Sequence, residues 1–82
     1  MNLHGLASDM VQTALACERS LPGRGGANDH DLTLHLMKEP DVVWHVCETY
    51  ARTVQLPVDQ LPVSQLRGLI GDIVLSKLPK YD

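Results

Sequence analysis

Phenylalanine is absent from this chain, and its aromatic side chains stop at Trp44, Tyr50 and Tyr81. Any core must therefore be built from aliphatic side chains. The 82 residues leave room for one domain and one core. A chain this short buries a smaller share of its surface than a long one, so disulfides, metals or oligomerisation commonly supplement such a core.

Cysteine is nearly as scarce. Cys17 and Cys47 can make at most one internal bridge, and both fall within apolar helical patterns, where a thiol acts as a small buried hydrophobe. Residues 1–10 have neither the basic start nor the apolar run of a secretory signal. No apolar stretch approaches the ~18 residues that span a bilayer. These absences lead to the expectation of a soluble, cytoplasmic protein with free thiols in a reducing compartment. Oligomerisation is then the expected supplement to the core.

Clustered charge is missing too. Seven basic and ten acidic side chains leave a net charge of −3, and Arg19, Arg24, Lys38, Arg52 and Arg67 are scattered. A nucleic-acid surface needs its cations gathered against phosphates. Nor is there a nucleophile elbow, a Walker loop or a spaced pair of carboxylates. Of the four histidines, His45 stands nearest a cysteine, but His45 and Cys47 lie about 160° apart on a helix, and His30 and His35 are five residues apart. Neither pair matches the ligand spacing of structural zinc sites. The residues therefore predict no enzyme, no cofactor and no metal.

What is present is helical periodicity. The first helix is expected from Gly5 or Ser8 to about Ser20, with Leu6, Met10, Ala14 and Cys17 on one stripe and Ser8 or Asp9 as its cap. Three glycines and one proline in residues 21–28 end it, and residues 21–29 read as a flexible connector. Arg24 would be the charged anchor of this loop if it orders against a partner. Leu32-Thr33-Leu34-His35-Leu36 alternates with period two, a strand signal. Leucine favours helix, however, and a lone strand leaves backbone groups unpaired. A short second helix over residues 31–38, capped by Asp29 or Asp31, is the reading adopted, with the strand as its alternative.

The third helix is expected from Pro40 to Val54, proline being suited to a first helical position. Trp44 falls on the edge of its apolar face, where it either rims the core or anchors an interface, a role in which tryptophan is enriched. Residues 55–63 carry the repeat Gln-Leu-Pro-Val twice and form a linker with aliphatic anchors. The fourth helix should start with Ser64 as N-cap and stop before Pro79, beyond which Tyr81 is either a tail contact or disordered. Its stripe of Leu66, Leu69, Ile70, Ile73, Val74 and Leu78 faces the core. Gly68, Gly71 and Leu75 form a second, smooth face. Two mid-helix glycines cost roughly 1 kcal/mol each against alanine. Close approach of another backbone is the expected compensation, which makes this helix the predicted centre of the bundle or of a dimer.

The sequence thus predicts a single all-α domain over residues 1–82, a small bundle of about four helices. Its expected function is that of a non-enzymatic protein-binding module. It would act as an adaptor, or as an inhibitor of the antitoxin, immunity or phage anti-defence kind, on a protein partner or as a homodimer. Gly68, Gly71, Leu75, Trp44 and Arg24 are the candidate contact residues. The alternative is a small dimeric transcriptional regulator or nucleic-acid accessory protein. A helix-turn-helix would need a turn of three or four residues, and the nine-residue connection at 55–63 does not supply one.

Overall fold

Each helix begins where a side chain or a proline can satisfy or spare the first amide groups. The computed structural model describes residues 2–78 as four α-helices and one 3₁₀ turn: α1 (Leu3–Arg19), α2 (Asp29–Leu36), α3 (Val42–Val54), the turn Val58–Gln60, and α4 (Val63–Ser76). It contains no strand among the described residues, and the all-α bundle expected from the sequence is the fold observed. Among the described residues no helix is long and apolar enough to cross a membrane. Pro79 and Tyr81 lie outside the described residues.

The starts differ from those expected, each for a local reason. Asn2, in extended backbone, accepts the Gly5 amide at 3.1 Å, so α1 begins earlier than Gly5 or Ser8, and Ser8 and Asp9 lie inside it. In α2 the cap is Asn28, which accepts the Asp31 amide at 2.9 Å. The helix therefore starts two residues before position 31 and ends at Leu36, short of Lys38. Leu32, Thr33 and Leu36 are buried while Leu34 is exposed, which is helical rather than alternating burial. Asp41 caps α3 by accepting the Trp44 amide at 3.1 Å, so Pro40 precedes the cap instead of opening the helix. In α4 the capping position is Pro62, whose carbonyl accepts the Gln65 and Leu66 amides; Ser64 is already helical and makes no cap bond. A proline there loses no hydrogen bond, because a first-turn amide has no intrahelical partner.

The ends follow similar logic. Ser20 closes α1 twice, its amide donating to the Ala16 carbonyl and its hydroxyl to the Cys17 carbonyl at 2.7 Å. The glycine-rich connector is a run of hydrogen-bonded turns, Arg24 to Leu21 and Ala27 to Arg24, with Gly23 at φ +81°, where a side chain would be strained. Gln55 takes the left-handed conformation (φ 61°) and lets the Leu56 amide reach back to the Ala51 carbonyl at 2.9 Å, a Schellman-type closure of α3. Of the linker's aliphatic side chains, Val58, Leu61 and Val63 pack on the core, whereas Leu56 is exposed.

The core is aliphatic, as the absence of phenylalanine requires. Ala7, Met10, Val11, Ala14 and Leu15 of α1 meet Leu32 and Leu36 of α2, Val43, Val46 and Cys47 of α3, and Leu66, Ile70 and Val74 of α4. Helix α1 packs against each of the other three α-helices, most extensively against α4. The centre of the bundle is therefore α1 and not α4, which gives the core one face only. That face still matters. Burying Leu66, Ile70 and Val74 is worth about 1.5–3 kcal/mol apiece, in a domain whose whole stability is expected to be about 4–12 kcal/mol.

Candidate functional site

Two surfaces remain once the core is accounted for. The first is the outer side of α4. Gly68 is exposed, Gly71 half-buried and Leu75 59% exposed, and with Ser64 they form one smooth strip at spacings of four, three and four. A Cβ built on Gly68 or Gly71 would meet nothing within 4 Å beyond its own helix turn, so among the described residues no other element approaches either glycine. Both glycines sit in ordinary helical backbone; Gly23 is the glycine with positive φ.

Arg67, one residue before Gly68, joins this strip to α3. Its guanidinium donates to both carboxylate oxygens of Asp41 at 3.2 Å. The same carboxylate holds the Trp44 amide, so one side chain caps α3 and fastens it to α4. These two contacts, the amide first and Arg67 second, hold the Asp41 carboxyl below its ordinary range. Trp44, 39% exposed, stands in the first turn beyond this clamp. The fold thus places Trp44 and the glycine strip on adjoining helices. Arg24 lies elsewhere, in the α1–α2 connector, where it forms an ion pair with Glu18. Engaging a partner through Arg24 would mean breaking that pair.

The second surface is an open groove of about 350 Å³ between the C-terminal half of α1 and α3. Ala14, Cys17 and Glu18 of α1, with Leu21 just after it, form one wall. The other carries His45, Thr49, Arg52 and Thr53. Cys17 was expected on a core face. It is instead half-buried at the groove, its Sγ 4.0 Å from the Thr53 hydroxyl. Cys47 does lie in the core, and burial pushes its thiol above the ordinary range. The two cysteines are unbridged.

The polar ridge of this groove was readable in part: His45, Thr49 and Arg52 recur at four and three residues, the spacing of one helix flank. Nothing in the sequence indicated that Cys17 faces the same space, because that depends on how α1 and α3 cross. His45 lies 3.7 Å from Glu39 through Nδ1, an ion pair when the imidazole is protonated. His45 and Cys47 point to different environments, groove and core. Among the described residues no three His, Cys, Asp or Glu side chains converge to hold a metal ion. No family model, curated protein or solved structure matches the chain.

Proposed function

We propose that this chain is a small, non-enzymatic protein-binding module that docks a partner helix, from another protein or a second copy of itself, against the Gly68–Gly71–Leu75 strip of α4. One observation carries the reading. Two glycines stand mid-helix with no atom of another element among the described residues within 4 Å of their absent Cβ positions, beside a leucine that is 59% exposed. Alanine there would favour the isolated helix by roughly 1 kcal/mol per position. A partner backbone approaching closely is what the missing side chains would allow. Trp44 is the neighbouring anchor, being the kind of side chain that dominates binding hot spots. Acting by occlusion in a reducing cytoplasm, such a module would be an adaptor or an inhibitor of the protein it covers.

The nucleic-acid alternative has less support. Arg19, Arg24 and Arg67 are each paired with a carboxylate, of Asp29, Glu18 and Asp41, which leaves few cations for phosphates. The decisive comparison is between the wild-type chain and Gly71→Leu, matched for helicity by circular dichroism. Self-association by sedimentation, or a saturable complex with a protein retained from the native host, should be present in the first and lost in the second. A wild-type chain that stays monomeric at high concentration, with Gly71→Leu retaining the same host proteins, would remove the proposal. A salt-dependent complex with duplex DNA would favour the alternative.

A further inference from the structure

The exposed strip of α4 has the spacing of a heptad as well as its smoothness. Ser64, Gly68, Gly71 and Leu75 recur at four, three and four residues, which is an a/d seam with Ser64 and Gly71 at d and Gly68 and Leu75 at a. Leu66, Ile70 and Val74, which the bundle buries, lie outside this seam. The same register puts Arg67 at g and Asp72 at the following e. These are the two charged side chains of α4, and on a 100° wheel they stand about 70° to either side of the seam's mid-line. Arg67 is half exposed and uses two of its five N–H donors on Asp41. Asp72 is exposed and has no cationic partner among the described residues.

A parallel helix pair brings the g residue of one helix against the e residue five positions on in the other, and a two-fold axis repeats the contact. Two copies of α4 so arranged match Arg67 of each with Asp72 of the other. Antiparallel helices instead set g beside g and e beside e, which keeps Arg67 and Asp72 apart. We propose, resting on the α4 strip as the docking face, that its occupant is a second copy of this chain, with the two α4 helices parallel and in register. Glycine at a and d lets the backbones approach, and Leu75, 59% exposed, meets its counterpart as the apolar contact. Trp44 lies at the margin of the same face, because its amide and Arg67 share the Asp41 carboxylate. A free 14-residue helix is marginal in water, but each bundle already holds its α4 folded, so association has only the cost of docking. The contact is small and partly ionic, and its strength therefore falls with salt.

The test uses the full chain at high concentration. Sedimentation gives the self-association constant of the wild type and of Asp72→Lys, with circular dichroism checking that helicity is equal. Asp72 is exposed, so its replacement leaves the core untouched. Asp72→Lys turns two attractive contacts into two repulsive ones and should weaken association by about tenfold at low salt, a difference that shrinks as salt rises. Orientation is read from Ser64→Cys and Leu75→Cys, oxidised separately and then mixed, with interchain disulfides mapped by mass. In a parallel, in-register pair each introduced thiol faces its own copy, so like-to-like links should dominate even in the mixture. Links from position 64 to position 75 would mean antiparallel helices and would overturn the proposal. An association unmoved by Asp72→Lys would do the same, as would a wild-type chain that stays monomeric. If that monomer still retains host proteins that Gly71→Leu loses, the docking face on α4 stands and the choice of a second copy as its occupant fails.

Discussion

Replacing Gly68 and Gly71 by alanine separates the needs of the fold from those of a partner. Neither glycine has the positive φ that would exclude a side chain, and among the described residues neither new Cβ would meet an atom of another element within 4 Å. Packing therefore gives no penalty, and helix propensity favours alanine by about 0.8–1.0 kcal/mol at each site. The double variant should gain about 2 kcal/mol. For a domain of this size that corresponds to a rise in Tm of about 8–15 °C. Urea unfolding followed by far-UV circular dichroism, at concentrations where sedimentation shows a monomer, measures the gain directly. An unchanged or lower stability under those conditions would refute the reasoning, since it would mean that the glycines serve the monomer. If stability rises while association falls, the two glycines are retained for contact and not for folding.

Three further outcomes follow from the caps and charges. Asn28→Ala removes the acceptor of the Asp31 amide and should destabilise the chain by about 1 kcal/mol in denaturant titrations, with the loss centred on α2. Thr49→Val replaces a groove-lining hydroxyl that is not a buried orphan, and should shift stability by less than about 0.5 kcal/mol in the same assay. Asp41→Asn keeps a capping oxygen but loses the charge facing Arg67. Because the Asp41 carboxyl titrates below its ordinary 3.8 in the folded chain, its contribution is full above that value and fades as pH falls through the lower, folded one. The Tm difference between wild type and Asp41→Asn, a small one for so exposed a pair, should be greatest at neutral pH, shrink below about pH 4 and disappear in stronger acid.

The fold was largely legible because the apolar spacing of each helix is a local property. Met10 and Ala14, Val43 and Val46, Leu66 and Ile70 each share a face at helical intervals, and all are buried. Helix starts were less legible. Asn2, Asn28, Asp41 and Pro62 compete with nearby Ser8, Asp29, Pro40 and Ser64 for the same role, and the winner depends on backbone geometry at one residue. Tertiary relations were the least legible. The outer face of α4 looked ready for a partner within the bundle or across a dimer, but α1 occupies the centre of the bundle and leaves Gly68 and Leu75 exposed. Cys17 shares the apolar stripe of α1, and its approach to Thr53 follows from a helix crossing that no pattern within α1 encodes.

The arrangement around α1 also sets the order in which the molecule comes apart. Helix α2 has eight residues and rests chiefly on α1, whereas α1, α3 and α4 all pack on one another. Local opening of α2 would therefore sacrifice one interface and leave a closed three-helix unit behind. Its amides should exchange with solvent deuterium well before those of Met10 or Ile70, through an excursion that costs less than global unfolding. The opened form presents Leu32, Leu36 and the uncovered side of α1 to solvent while the remaining helices stay folded. A protease present at low concentration should then cut between α1 and α3 first.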